Sequence, residues 1–119
     1  MRRDQLRLQD ILENIEAVKL ALGGRSREEF NSDLLLRSAI LHYLQTIGEA
    51  ASHISAEMQD KYPDVPWREV SGTRNVIVHA YFSVDLDLIW QTITQDLLPL
   101  HSRISAILKT EFPANAEPV

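Results

Sequence analysis

The sequence predicts an all-α fold, an antiparallel helical bundle of four to five helices, and three observations carry that prediction. Apolar residues recur at steps of three and four along nearly the whole chain, the spacing that puts them on one face of a helix. Strong stops fall between the periodic runs, at Gly23-Gly24 and at the stretch "YPDVP". No strand pattern competes and no internal repeat occurs.

The elements follow in order. Leu8, Ile11, Ile15, Val18 and Leu22 line one face of a first helix, and Gly23-Gly24 ends it where left-handed backbone is easy. In "SREEF", Ser26 followed three residues later by Glu29 is a capping box, which predicts a short turn of helix. From about Ser32 the spacing resumes through Leu36, Ile40, Tyr43, Ile47, Ala50, Ile54 and Met58, with Asp33 at the positive end of the dipole. It predicts one helix of about eight turns running to Lys61. Pro66 is placed as the first residue of a third helix, carrying Trp67 through about Ala80. Ser83 or Asp85 caps a fourth, whose buried face is Leu86, Ile89, Ile93, Leu97, Leu100, Ile104 and Ile107, with a kink expected at Pro99. The predicted domain is 1–112, and "PANAEPV" leaves 113–119 as a flexible tail.

Composition narrows the function classes. The 119 residues suffice for one core, and 45% hydrophobic with 24% charged residues is ordinary for a globular protein. The absence of cysteine removes disulfides, thiolate metal sites and a cysteine nucleophile, and fits a reducing compartment. Asp4, Gln5 and Arg7 directly follow the amino-terminal arginines, and no apolar run approaches the roughly 20 residues that cross a bilayer. A cytoplasmic protein with no membrane partner is expected. The net charge of −5 argues against a protein that coats nucleic acid non-specifically, but a few arginines can focus a local positive field.

One stretch departs from ordinary helix. In "SGTRNVIVHAY", Arg74, Asn75, His79 and Tyr81 fall within eight residues. On a helix, Arg68, Gly72, Asn75 and His79 share one stripe, separated by four, three and four residues, while Arg74 flanks it nearer the Trp67–Val70–Ile77 side. Gly72 there costs about 1 kcal/mol relative to alanine and offers close approach to a second backbone or a substrate. Imidazole accepts and donates a proton near neutrality, guanidinium matches a phosphate, and an amide holds an imidazole or an oxygen. Together they suit RNA cleavage through the 2′-hydroxyl, in which a base takes the 2′ proton and cations stabilise the pentacovalent phosphate, without a metal or other cofactor. One histidine per chain is thin for a step that wants a base and an acid. A twofold contact across the stripe would supply a second. The plainer reading is a structural histidine beside an arginine paired with a carboxylate such as Glu69.

"RNVIVHAY" has the form Arg, four residues, His, one residue, Tyr, and resembles the signature of the HEPN superfamily, specifically its HepT-like toxins. The resemblance extends through "PWREVSGTRNVIVHAYFSVD", through Phe30, Asp33, Ala39 and "IGEA", and through "VDLDLIWQTITQDLLPL", covering about Leu6 to Leu108. It implies a HEPN-like helical bundle that forms a homodimer, with two motifs meeting in a cleft. It implies a metal-independent ribonuclease acting as the toxin of a type VII-like toxin–antitoxin pair. Its antidote would be a minimal nucleotidyltransferase, MntA-like, that transfers AMP onto Tyr81. By position, Arg74 and His79 take the catalytic roles, with Asn75, Arg68 and Gly72 supporting. Related domains also serve as non-catalytic docking modules for a nucleotidyltransferase, which is the alternative expectation.

Other features point elsewhere less clearly. Glu49, His53 and Glu57 stand four apart on the expected second helix, a ladder that reads better as a solvated or ion-paired face than as a metal site. His42 and His101 read as structural, and Trp67, Trp90 and Tyr43 as core or interface. Beyond Arg68 and Arg74, only Lys61 is expected to add positive charge near the stripe. No glycine-rich phosphate loop occurs.

Overall fold

The computed structural model describes residues 2–80 and 85–113, with side chains described at 3–73 and 85–113. Among them the chain is all helix: α1 (Arg2–Leu22), α2 (Arg27–Ser32), α3 (Leu34–Ser52), α4 (Ala56–Lys61), α5 (Trp67–Ala80), α6 (Leu86–Gln91) and α7 (Leu97–Glu111). A π-helical segment, Thr92–Asp96, joins α6 to α7 into one long rod. Four long rods therefore build the bundle, with α2 and α4 as short connectors.

The predicted faces are the buried ones. Leu8, Ile11, Ile15 and Val18 of α1 pack with Leu36, Ile40 and Ile47 of α3 and with Leu97, Leu100, Ile104 and Ile107 of α7. Helix α3 lies at the centre, against α1 on one side and α5 on the other, while α7 covers α1. The caps are those expected. Gly23 and Gly24 end α1 at positive φ (53° and 77°). The Ser26 hydroxyl accepts from the Glu29 N–H at 3.1 Å, and the Glu29 carboxylate accepts from the Ser26 N–H at 2.9 Å. The Ser26 N–H, and after it the Ser26 side chain, hold the Glu29 carboxyl below the usual carboxylate range. Asp33 caps α3 through the Leu36 N–H, and Asp85 caps α6 through the Leu88 N–H, each at 3.0 Å. Ser83 lies outside the described residues, as do Tyr81 and the tail beyond 113.

Two expectations are corrected. The eight-turn second helix does not form: α3 stops at Ser52, and a new helix begins at Ala56. The apolar spacing continues across this break, and both Ile54 and Met58 are buried. What interrupts the helix comes from the far end of α1. Asp4 is only 3% exposed, and its two carboxylate oxygens accept from the Ser55 N–H at 2.9 Å and the Ser55 hydroxyl at 2.6 Å. The Ser55 hydroxyl accepts in turn from the Met58 N–H at 3.1 Å, capping α4. This junction also fixes the α1–α3 pairing as antiparallel, since the start of α1 meets the end of α3. The second correction concerns the last rod, whose irregularity lies a turn before Pro99. There the Leu97 N–H reaches back five residues to the Thr92 carbonyl. Pro99 has no N–H for the Gln95 carbonyl, and the Thr92 and Thr94 hydroxyls take the carbonyls of Leu88 and Trp90 at 2.9 and 2.7 Å. Widening the turn ahead of the proline accommodates both.

Short contacts close the ends. Arg27 of α2 pairs with Asp87 of α6, and the Phe30 and Trp90 rings lie 5.5 Å apart. At the other end Glu111 of α7 accepts from Lys61 at 2.9 Å and from the Tyr62 hydroxyl. The Lys61 and Tyr62 bonds hold the Glu111 carboxyl below its ordinary range, and Glu111 in turn pushes the lysine and the phenol up.

Candidate functional site on α5

The chain enters α5 under tight local control. The Tyr62 carbonyl accepts from the Val65 N–H at 3.2 Å and from the Trp67 indole at 2.9 Å. The Val70 N–H donates to the Pro66 carbonyl at 2.9 Å, so the proline stands just ahead of the first helical turn, where its missing N–H is harmless. Trp67 and Val70 are buried and seat the helix on the core. One turn on, Thr73 donates its hydroxyl to the Leu44 carbonyl of α3 at 3.1 Å. The observed helix, Trp67–Ala80, ends where the sequence predicts and begins one residue after Pro66, its predicted first residue.

The predicted stripe begins on the other side of this helix. Arg68 is exposed. A Cβ built on Gly72 meets nothing within 4 Å, so no part of the described chain uses the space that the glycine leaves. Positions 75 and 79 continue the stripe by helical register, along backbone that is helical to Ala80. Arg74 follows Thr73 directly on the same helix. The side chains of Arg74, Asn75 and His79 lie outside those described, and so does the whole of Tyr81. Arg68 and Gly72 thus share one stripe of α5, and the helical backbone at positions 75 and 79 has the register to continue it.

The other polar groups fall into place separately. His53 caps the end of α3 and pairs with Glu49 at 3.1 Å, while Glu57 belongs to α4 across the break. The expected three-residue ladder is therefore not a single helix face. His101 pairs with Glu16 of α1 at 2.9 Å. His42 is exposed beside the Tyr43 ring, at 5.9 Å, and lines a shallow cleft with Arg7, Asp10 and Gln45. Lys61, expected to lend charge to the stripe, is instead committed to Glu111 at the end of α7.

Sequence reasoning gave no sign of one feature. A groove of about 500 Å³ opens between α3, α5 and the α6–α7 rod, floored by Leu44, Ile47 and Val70. On α5 its wall is Pro66, Glu69 and Thr73, and because Glu69 and Thr73 directly follow Arg68 and Gly72 it is offset by about one position, roughly 100°, from that stripe. The groove and the polar stripe thus run side by side on neighbouring faces of α5. A groove made by three helices leaves no periodic signature in any one of them.

The described residues define the class of small all-α helical bundles. The chain belongs to the ribonuclease HepT-like family, whose model matches residues 11–107. It is 35% identical over 104 residues to a protein of Caldanaerobacter subterraneus subsp. tengcongensis named "Putative RNase TTE0752", covering 87% of this chain and 93% of that one. It is 32% identical over 100 residues to "Putative RNase MJ1380" of Methanocaldococcus jannaschii, covering 84% and 92%. It is also 32% identical over 102 residues to "Probable ribonuclease HepT" of Thermococcus cleftensis, covering 86% and 93%. No solved structure matches the chain. Among the described residues, no helix is long and apolar enough to cross a membrane.

Proposed function

We propose that this protein is a metal-independent RNA endonuclease and the toxin of a toxin–antitoxin pair, with Arg74 and His79 as the catalytic residues. The observation that carries the reading is the family's own. A ribonuclease HepT-like chain carries an Arg-x4-His-x-Tyr block whose Arg74 and His79 lie on α5, the helix on which Arg68 is exposed and a Cβ at Gly72 meets nothing within 4 Å.

The chemistry follows from the residue types. The His79 imidazole takes the proton of a ribose 2′-hydroxyl, and the 2′-oxygen attacks the adjacent phosphorus. The bond to the 5′-oxygen breaks, leaving a 2′,3′-cyclic phosphate on one product, and the departing oxygen takes a proton from a second imidazole. The guanidinium of Arg74 stabilises the charge that builds on the phosphate oxygens, and Asn75 holds the imidazole or a phosphate oxygen. Since one chain brings one such histidine, the acid comes from a second copy in a homodimer, joined across the stripe by a twofold contact. Arg68 extends positive charge along the groove between the copies, and Gly72 lets the two surfaces approach.

Control follows from Tyr81. A cognate MntA-like nucleotidyltransferase would transfer AMP to its hydroxyl, adding bulk and a phosphate charge beside the arginine where substrate phosphate must sit. Expression of the chain alone is expected to arrest growth, and co-expression with the nucleotidyltransferase to relieve it. The intact mass of the co-expressed protein then rises by one or more AMP groups, and Tyr81→Phe abolishes the increment. An unmodified mass in the relieved cells removes this switch. If the chain is instead a docking module, its expression is harmless while it still binds the nucleotidyltransferase.

A further inference from the structure

Helix α5 carries the proposed chemistry, and among the described residues its main packing is on one flank. Its helix-to-helix packing is against α3, and on the flank of Pro66, Glu69 and Thr73 the groove separates it from the α6–α7 rod. Its beginning is anchored by the Trp67 indole and by the burial of Trp67 and Val70. Those contacts fix where the helix starts. They leave its rotation and sliding along α3 to the next turn.

The next turn holds Thr73. Its hydroxyl stands 2.8 Å from the Val70 carbonyl of its own helix and 3.1 Å from the Leu44 carbonyl in the middle of α3. A hydroxyl has one hydrogen, so the two carbonyls share it in a three-centre bond. The bond to Val70 is what threonine does in many helices and needs no further cause. The bond to Leu44 is different, because it joins two helices through a backbone carbonyl whose place is set by the α3 ladder. It therefore measures the register of α5 against a rigid reference, one residue before Arg74 and six before His79.

We propose that Thr73 is a positioning residue: its hydroxyl bond to the Leu44 carbonyl sets the axial register of α5 on α3 and so aims Arg74 and His79. This role rests on the ribonuclease reading above. A rigid helix transmits a shift at Thr73 directly to both residues, and displacements on the order of 1 Å at reacting groups cost rate steeply. Valine retains the branched shape and comparable helix propensity but cannot donate. Serine can donate.

The test compares wild type, Thr73→Val, Thr73→Ser and His79→Ala on an RNA oligonucleotide. It is run at a temperature where circular dichroism shows every variant fully folded. Thr73→Val is expected to lose about tenfold in kcat with KM within about twofold, and Thr73→Ser to recover wild-type kcat to within about twofold. The role is overturned if Thr73→Val keeps wild-type kcat, if serine fails to rescue, or if the loss falls on KM. A wild type that does not cleave, or a His79→Ala variant as active as wild type, instead removes the ribonuclease reading itself and this role with it. The two failures are thus distinct.

Discussion

His79→Ala is expected to lower RNA cleavage by about 10³-fold, the usual loss when a general base or acid is removed. Arg74→Ala is expected to fall by about 10²- to 10³-fold, because it takes away a cation aimed at the charge that develops on phosphorus. For His79→Ala the loss should not come from unfolding of the core. Among the described residues of α5 the buried ones are Trp67 and Val70, and position 79 continues by register the stripe of Arg68 and Gly72. Thermal melting of His79→Ala is therefore expected to stay within about 0.5 kcal/mol of wild type in free energy. If His79 were only a structural histidine, the order would reverse, with stability falling and cleavage persisting in the folded fraction. Initial-rate measurements alongside a chemical denaturation curve separate the two.

The largest effect on stability is expected far from the stripe, at Asp4. This carboxylate is 3% exposed and accepts two hydrogen bonds from Ser55, one of them from the hydroxyl that caps α4. Asp4→Ala strips both bonds and leaves the Ser55 N–H without its acceptor. The expected cost is about 3 kcal/mol, combining the loss of charge-assisted bonds with a part-buried donor left without its acceptor. In a double-mutant cycle, Ser55→Ala should add little once Asp4 is gone, because the two residues form one unit. Equal and additive losses in urea denaturation would contradict that coupling. The consequence reaches function through the chain path. The break at Ser55 redirects the backbone into α4, Tyr62 closes that helix, and its carbonyl then receives the Trp67 indole that starts α5. A loosened junction should therefore also reduce activity, in proportion to the folded fraction.

The same junction shows where sequence reading succeeds and where it stops. Local signals proved sufficient wherever the cause is local. Gly23-Gly24, the Ser26–Glu29 box, Asp33, Asp85 and the Pro66–Trp67 entry each act within a turn, and each stands where the spacing places it. The buried faces of α1, α3 and α7 follow from the apolar steps in the same way. The break in the second helix could not be read, because its cause lies 51 residues away at Asp4 while the apolar rhythm of Ile54 and Met58 runs on undisturbed. The π-helical turn escaped for a related reason. Pro99 announces a disturbance but not the side on which the backbone will absorb it.

The candidate site divides similarly. That Arg68, Gly72, Asn75 and His79 share a stripe is a matter of period, and the helix bounds support it. That the stripe leaves the core at Arg68 and Gly72 could not come from period alone. It rests on Trp67 and Val70 going inward and on the empty space at Gly72. Lys61 shows the converse error. Its position in sequence near α5 suggested a contribution to the field there, but the fold carries it to Glu111. The interhelical bond of Thr73 and the groove beside it had no signal in the sequence, since each depends on how separate helices meet.

The decisive measurement is end-group analysis of the cut products from two strands of the same sequence, one all-ribose and one all-deoxyribose, incubated with the purified protein in excess EDTA. The ribose strand should be cut and the fragments should terminate in a 2′,3′-cyclic phosphate, while the deoxyribose strand stays whole, because it lacks the attacking hydroxyl. Cutting that stops when the chelator is added, or equal cutting of the deoxyribose strand, would contradict the mechanism assigned to Arg74 and His79.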